Sequence, residues 1–268
     1  MNISQNIAKR ARINALKMVH RSKGSHIGSA LSIIDILAVL YSKVMKVSPH
    51  DDEFPDRDRF ILSKGHACVA VYSVLAEINF FPRDLLLDYG QDDSILMNHI
   101  SHKVPGVEFL TGSLGHGLPF GVGKALSAKL MGKKWTTYVL VGDGEMQEGS
   151  NWEALMFAAH HRLDNLILII DYNNLQSLTS VDETLGLQPL DKKLSAFGWN
   201  VFTADGHDHD NLSDCLKAAK ESGSKPSVVI AKTTKGKGIS FMENSVDWHY
   251  KSPNLEELNS ALLELEDA

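Results

Sequence analysis

Two short polar motifs, each directly after an apolar run, have residue types and spacing that suit chemistry. The first is Gly142-Asp143-Gly144-Glu145 and the second is Asp171-Tyr172-Asn173-Asn174-Leu175. Carboxylate and amide oxygens are ligands that Mg²⁺ prefers, and glycine lets a ligand approach the backbone closely. If the two apolar runs are neighbouring strands, Asp143 and Asn173 can share a divalent cation that also holds an anion.

Neither motif is specific alone, because Gly-Asp-Gly is a common turn and an Asn-Asn pair more often caps a loop. Together they are similar to the thiamine diphosphate signature, in which Gly-Asp-Gly is followed about 25 to 30 residues later by Asn. Here the stretch from Glu145 to Tyr172 intervenes. The pair predicts a site for the cofactor's diphosphate and Mg²⁺, or another divalent cation such as Ca²⁺ or Mn²⁺.

The elements that must position these motifs alternate along the chain. Apolar runs predict strands at 59–62, 136–141, 165–171, 199–203 and 227–232, and helical periodicity predicts helices at 33–45, 67–78, 120–130, 153–161, 211–220 and 254–268. This alternation predicts one α/β domain over 1–268, a doubly wound, mainly parallel sheet with helices on both faces. Ligands bind such sheets at the carboxyl ends of the strands, where both motifs lie.

The composition disfavours several other classes of protein. A formal net charge of −6 gives no broad attraction to nucleic acid or an anionic membrane, and no apolar run approaches the roughly 20 residues that span a bilayer. The only cysteines, Cys68 and Cys215, suit a reducing, cytoplasmic compartment. The first acidic residue is Asp35, so the basic N-terminus superficially suits a transit peptide. We expect it to form the first helix of the fold instead.

Further segments, in the same order along the chain, resemble those of transketolase over nearly the full length. They are Gly24-Ser25-His26-Ile27-Gly28, Leu62-Ser63-Lys64-Gly65-His66-Ala67, Pro105-Gly106-Val107-Glu108, Thr111-Gly112-Ser113-Leu114-Gly115-His116-Gly117, Gly142 to Glu153, Lys232-Thr233-Thr234 and Trp248-His249. The chain is thus similar to the N-terminal part of transketolase, which implies the thiamine diphosphate-binding fold in its diphosphate-type domain.

The resemblance implies roles for individual residues. Asp143, Asn173 and the backbone carbonyl of Leu175 would bind the metal. The catalytic residues would be His26, His99 and His249, of which His26 and His99 would contact sugar oxygens and stabilise developing charge. The cofactor-binding positions would be His66, Gly112, Leu114, Gly142, Asp143, Gly144, Glu145, Asn173 and His249. Glu148 and Glu153 match family carboxylates at the subunit interface.

Other histidines have simpler interpretations. We predict that His20, His50, His160 and His161 are solvated or bonded to backbone. His207 and His209 resemble a metal cluster, but a turn that caps the helix from Asn211 is favoured, and we assign no second metal there. Where the family commonly has Gly-His-Pro, this chain has Asn98-His99-Ile100, so the choice between His99 and His102 as the substrate-facing histidine stays open.

In transketolases a second domain supplies the carboxylate that activates the cofactor's aminopyrimidine ring, and this sequence ends before such a domain. The resemblance therefore implies the N-terminal subunit of a split transketolase. A C-terminal partner subunit would carry the pyrimidine-binding domain, with two copies of each chain in a heterotetramer. The expected activity is transfer of a two-carbon ketol unit from a ketose phosphate to an aldose. The sequence does not identify the sugar.

Three alternatives remain. Another thiamine diphosphate enzyme, such as a deoxyxylulose phosphate synthase or a ketoacid dehydrogenase α subunit, shares the motif pair, although His26, His66 and the 111–117 segment favour transketolase. A nicotinamide oxidoreductase would share the sheet, but no strand ends in Gly-x-Gly-x-x-Gly. A non-catalytic assembly protein would have kept the fold, but the presence of Asp143 and Asn173 argues against it.

Overall fold

The sheet of this chain is parallel throughout and has five strands within residues 2–49 and 54–267, which the computed structural model describes. His50 lies outside the described residues. The strands are β1 (Arg59–Leu62), β2 (Thr137–Gly142), β3 (Leu166–Tyr172), β4 (Asn200–Asp205) and β5 (Ser227–Lys232). Their order in the sheet is β1-β2-β3-β5-β4. All five predicted strands are confirmed, and their ends shift by at most two residues.

Helices cover both faces of this sheet. They are α1 (Ile3–Ser22), α2 (Ile27–Val39), α3 (Cys68–Glu77), α4 (Gly117–Leu130), α5 (Gly149–His160), α6 (Val181–Leu185), α7 (Leu190–Ala196), α8 (His209–Glu221) and α9 (Leu255–Asp267). On one face α1, α2, α3, α8 and α9 pack with strand residues such as Leu140 and Ile169. On the other face α4, α5 and α7 pack with the alternate residues Val141 and Ile170. The predicted doubly wound α/β fold is confirmed.

Helix α2 begins earlier than predicted. It starts at Ile27 instead of residue 33, and one π-helical turn, Leu40–Val44, extends it. Every residue of α2 is buried, so its sequence lacks the alternation of polar and apolar faces that marks a surface helix. The early start matters because it places His26, in the left-handed conformation at φ 71°, directly at the helix N-terminus.

The expectation that no apolar run could span a bilayer needs a correction. The segment Ile27–Val44 is long and apolar enough to do so by length and composition. However, 89% of it is buried inside the fold. A core helix that packs against α1 and α3, with its apolar side chains in the same cluster as those of the sheet, explains this composition.

The basic N-terminal segment forms α1, as predicted. Asn2 caps the helix, since its side chain accepts the N–H of Gln5 at 3.0 Å, and the Gln5 side chain accepts the N–H of Asn2 at 2.8 Å. This reciprocal pair is a capping box. The buried side of α1 packs against α2 and α3, so the segment is part of the core.

Candidate functional site

The carboxyl ends of four neighbouring strands lie side by side and border a polar pocket of about 250 Å³. The loops after β1, β2, β3 and β5 bring Lys64, Asp143, Asn173 and Lys235 into its lining. The remaining lining residues are Ser29, His66, Leu114, Gly142, Gly144, Glu145, Asp171, Leu175, Gln176, Ser177, His249 and Tyr250. The pocket lies where a doubly wound sheet binds ligands, and the two polar motifs are adjacent, as predicted.

The buried carboxylate of Asp143 joins the two motifs. It accepts the backbone N–H of Gly144 at 2.8 Å and that of Asn173 at 2.9 Å, and it also accepts the N–H of Asn174. Burial, followed by the nearby Asp171 carboxylate, raises the pKa of Asp143 to about 6. Among the described residues no basic side chain forms an ion pair with it. A cation bound here would therefore stabilise its charged form.

The amide of Asn173 is held in place from both sides. Its nitrogen donates to Ser32 Oγ at 3.1 Å and to Asp171 Oδ2 at 3.2 Å, while its oxygen accepts the N–H of Leu175 at 3.0 Å. Together with Asp143 and the Leu175 carbonyl, this gives one carboxylate, one amide oxygen and one carbonyl oxygen around the pocket. Such a donor set fits a hard divalent cation.

Gly144 shows how closely the loop after β2 packs. A Cβ at this position would lie 2.8 Å from Cγ of Gln176, closer than side chains tolerate. The loops after β2 and β3 are therefore in contact beside the pocket, and a side chain at residue 144 would require the Gln176 side chain to move.

Two buried lysines bring positive charge to the pocket. Lys64 donates to the Asp171 carboxylate at 2.6 Å and to the Ser29 carbonyl at 3.2 Å. Lys235 donates to the Gln176 carbonyl and to Nδ1 of His249 at 3.1 Å. Burial and then the charge of Lys64 lower the pKa of Lys235 to about 8. At pH 7 the ammonium group of Lys235 is therefore charged, so the pocket suits an anion as well as a cation.

Histidines cluster beside this pocket. The His26 ring centroid lies 5.0 Å from those of His66 and His249 and 6.1 Å from that of His99. Burial first, and then neighbouring His99, lower the pKa of His26 to about 4, and burial followed by Lys235 lowers that of His249 to about 3. Burial and Lys64 hold the pKa of His66 well below its usual value. The imidazoles of His26, His66 and His249 are therefore neutral at pH 7 and available for hydrogen bonding or proton transfer.

His99, and not His102, is in ring contact with this cluster among the described residues. One predicted cofactor-binding residue, Gly112, lies apart from the others. Gly112 lies on an exposed loop outside the pocket lining, whereas Leu114 lines it. The Glu145 carboxylate lies in the pocket wall, where it accepts the Ser63 hydroxyl and the N–H groups of Gly115 at 2.9 Å and Gly142 at 3.2 Å.

Comparison with known proteins identifies the family. The family described as "Transketolase, thiamine diphosphate binding domain" matches residues 3–262. The chain belongs to the transketolase family. It is 49% identical over 245 residues to an apulose-4-phosphate transketolase subunit of Actinobacillus succinogenes, a match that covers 91% of this chain and 88% of that protein. It is 41% identical over 242 residues to a 6-deoxy-6-sulfo-D-fructose transketolase subunit of Clostridium sp., with 90% and 88% covered.

Solved transketolase structures have the same fold. The enzyme of Campylobacter jejuni superposes with a TM-score of 0.93 at 33% identity, over 99% of this chain and 43% of that one. The chain thus spans less than half the length of the solved transketolase, but most of the length of the two relatives named as transketolase subunits. The predicted resemblance to the N-terminal part of transketolase is confirmed.

Sequence reasoning gave no role to Lys64 or Lys235, although Lys64 lies within a segment that resembles transketolase and Lys235 directly follows another. Each follows the carboxyl end of a strand by two or three residues, and that position alone could have marked them. Their surroundings could not be foreseen, because whether a lysine is exposed or buried depends on the neighbouring loops. Lys235 is only 1% exposed.

The turn before α8 forms a helix cap and not a cluster of metal ligands. Asp208 accepts the N–H groups of Asp210 and Asn211, each at 3.0 Å, so the helix begins at His209, two residues before the predicted start. Within the described residues no group of three or more His, Cys, Asp or Glu is arranged to hold a metal ion. His20 bonds the carbonyl of Pro253 at 2.8 Å, and His160 and His161 lie on the surface beside one another, at the end of α5.

Proposed function

We propose that this chain is the diphosphate-holding subunit of a two-chain transketolase, and that it binds thiamine diphosphate through a divalent cation such as Mg²⁺. The observation that carries the proposal is Asp143, a buried carboxylate without an ion pair among the described residues, beside Asn173 and two buried lysines. Relatives of similar length that are named as transketolase subunits support the two-chain arrangement.

In this proposal the residues of the pocket bind either the cation or the diphosphate, according to their charge. Asp143, Asn173 and the Leu175 carbonyl hold the cation, which neutralises the diphosphate. Lys64 and Lys235 face the same pocket and supply the remaining positive charge. When bound, the cofactor supplies the carbanion that reacts with the ketose carbonyl and lets the adjacent carbon-carbon bond break.

The histidines act on the sugar in this proposal. His26 and His99 donate hydrogen bonds to its hydroxyl and carbonyl oxygens and move protons as the bond breaks. His249 accepts a hydrogen bond at Nδ1 from Lys235, so its own hydrogen is on Nε2 and can be donated to the reactants. The neutral imidazoles of His26 and His249 suit these roles because a neutral imidazole can both accept and donate.

The proposed reaction transfers a two-carbon ketol unit from a ketose phosphate to an aldose acceptor. The relatives named above differ in their named substrates, which are apulose 4-phosphate in one and 6-deoxy-6-sulfo-D-fructose in the other. The proposal therefore names only the class of substrate, a ketose, and not an individual sugar.

A partner subunit must complete the site, and the surface of this chain offers a place for a second copy of itself. The outer face of α4 and α5 has an apolar groove whose lining includes Pro119, Val122, Leu126 and Phe157. Phe157 is 43% exposed, and the neighbouring Met156 is 55% exposed. Apolar patches of this kind mark interaction sites. We propose a heterotetramer of two such chains and two C-terminal subunits with pyrimidine-binding domains.

We also propose that this complex works in the reducing cytoplasm, where Cys68 and Cys215 stay free.

The test begins with a tagged copy of this chain, purified from its source in thiamine diphosphate and Mg²⁺, with mass spectrometry of what co-purifies. We expect a stoichiometric chain that resembles the C-terminal part of transketolase, and ketol transfer by the complex. Asp143→Ala should abolish that transfer while the complex still assembles. A complex that transfers no ketol unit from any ketose phosphate, or that retains activity with Asp143→Ala, would contradict the proposal.

A further inference from the structure

A second cluster of charged groups lies outside the pocket, around the buried carboxylate of Asp35 on α2. Arg12 binds both of its oxygens, at 3.0 and 2.6 Å. His207 Nδ1 lies 2.8 Å from Oδ2, and His209 Nε2 lies 3.0 Å from Oδ1. A carboxylate only accepts hydrogen bonds, so both histidines donate to it.

Two of these groups, Arg12 and His207, also form hydrogen bonds with the loop from Thr233 to Gly238. His207 Nε2 accepts the backbone N–H of Thr234 at 2.8 Å. The guanidinium Nε of Arg12 donates to the carbonyl of Lys237 at 3.1 Å. The two anchors stand on either side of Lys235, whose ammonium group points into the pocket.

The rest of the loop is fixed against the same core. Gly236 donates its N–H to the carbonyl of Gly28 at the start of α2, at 3.0 Å. Thr233 donates its hydroxyl to the buried carboxylate of Asp171. The backbone on both sides of Lys235 is therefore held in part by Arg12 and His207, neither of which lines the pocket.

We propose that His207 is a positioning residue for cofactor binding: oriented by Asp35, it fixes the loop that places Lys235 against the cofactor's diphosphate. The inference rests on the proposed function. Asp35 sets the hydrogen on Nδ1 of the imidazole, and this leaves Nε2 free to accept from Thr234. Removing that acceptor leaves a backbone N–H unpaired and loosens Lys235, but it removes no group from the site itself.

Two substitutions of His207 test its two hydrogen bonds separately, the one to Asp35 and the one from Thr234. His207→Asn places an amide where Nδ1 was, so it can donate to Asp35 but cannot reach Thr234. His207→Gln extends to the Nε2 position, and its oxygen can accept the Thr234 N–H. His209→Asn is the matched control, because His209 bonds Ser4 and Asp35 but not the loop in the described structure.

The experiment measures the dissociation constant of thiamine diphosphate from the complete complex in Mg²⁺ by calorimetric titration. In parallel, it measures the activity of the complex as a function of cofactor concentration. We expect His207→Asn to raise the cofactor concentration for half-activation about three- to tenfold, the usual effect of one lost hydrogen bond, with kcat at saturating cofactor unchanged. His207→Gln and His209→Asn should remain within about twofold of the wild type. In a Lys235→Met background the effect of His207→Asn should fall below about twofold.

Three results would overturn the inference. They are equal cofactor requirements for His207→Asn and the wild type, a full effect of His207→Asn in the Lys235→Met background, and a loss of kcat without a change in cofactor requirement. If the wild-type complex itself binds no thiamine diphosphate, the proposed function fails first and the inference fails with it.

Discussion

Two buried aspartates, Asp35 and Asp143, have opposite surroundings. Asp35 accepts hydrogen bonds from one guanidinium and two imidazoles. Although burial raises its pKa, the charge of Arg12 and these hydrogen bonds hold that pKa well below the usual value. Within residues 2–49 and 54–267, Asp143 accepts hydrogen bonds only from backbone N–H groups, and burial raises its pKa to about 6.

On the proposed function, this difference separates a structural carboxylate from one that binds a metal ion. Asp35 is paired with basic side chains of the chain itself, so its charge stabilises the fold. Asp143 is buried and forms no ion pair with the described residues, an arrangement that costs stability and is common at functional sites. A buried charge whose counter-ion comes from outside the chain is typical of a metal or cofactor site.

The largest expected effect concerns stability. Asp35→Asn should lower the free energy of unfolding by about 3–5 kcal/mol, because it leaves the Arg12 guanidinium buried without its counter-ion. Denaturant unfolding followed by circular dichroism measures this. Asp210→Asn removes an exposed ion pair with Lys43 and should leave the unfolding midpoint unchanged within error. Equal effects of the two substitutions would mean that Asp35 is not the structural member of the pair.

The next prediction concerns the pH dependence of cofactor affinity. The pKa of Lys235 is lowered to about 8, so its charge is present below pH 8 and is lost as the pH rises through that value. Affinity for thiamine diphosphate should therefore fall about three- to tenfold between pH 7 and pH 9. Lys235→Arg keeps its charge throughout this range and should flatten the profile. The same decline in both proteins would rule out Lys235 as its cause.

A smaller effect is expected at the cap of α8. Asp208→Ala removes the acceptor of two N–H groups and should cost about 1 kcal/mol of unfolding free energy. Asp208→Asn keeps a capping oxygen and should cost less. Neither should change the cofactor requirement, since the cap is separate from the bond between His207 and Thr234. A shifted requirement would show that the turn as a whole, and not His207, positions the loop.

The smallest effect is expected for Asp143→Asn on the unfolding of the chain without cofactor. Neutralisation removes the cost of a buried charge, while one acceptor for the Gly144 N–H is lost. We expect these opposite effects to leave the free energy of unfolding within about 1 kcal/mol of the wild type. A loss as large as that of Asp35→Asn would remove the contrast between the two aspartates.

Much of the fold follows from sequence pattern because buried parallel strands are continuous apolar runs. The strands at 137–142 and 166–172 are recognisable in this way, and they place Asp143 beside Asn173. The start of α2 at Ile27 was missed because a helix buried on all sides has no periodicity. The order of β4 and β5 in the sheet was not predicted either, since it depends on how the helices pack.

The candidate site, like the fold, was predictable only in part. Asp143 and Asn173 were predictable because each lies in a short polar motif directly after an apolar run. The positions of Lys64 and Lys235 just after strand ends could have marked them, but their burial could not be predicted, because it depends on loops that are distant in sequence. The link from Asp35 through His207 to Thr234 joins residues that are distant in sequence, and no local pattern indicates it.

The most direct test of the central claim is calorimetric titration of thiamine diphosphate into the complete complex, with and without Mg²⁺, for the wild type, Asp143→Asn and Asp35→Asn at a temperature where all three are folded. We predict Mg²⁺-dependent binding that Asp143→Asn weakens by on the order of a hundredfold and that Asp35→Asn weakens far less. Binding that does not depend on Mg²⁺, or that survives Asp143→Asn unchanged, would contradict the assignment of Asp143 as the metal-holding carboxylate.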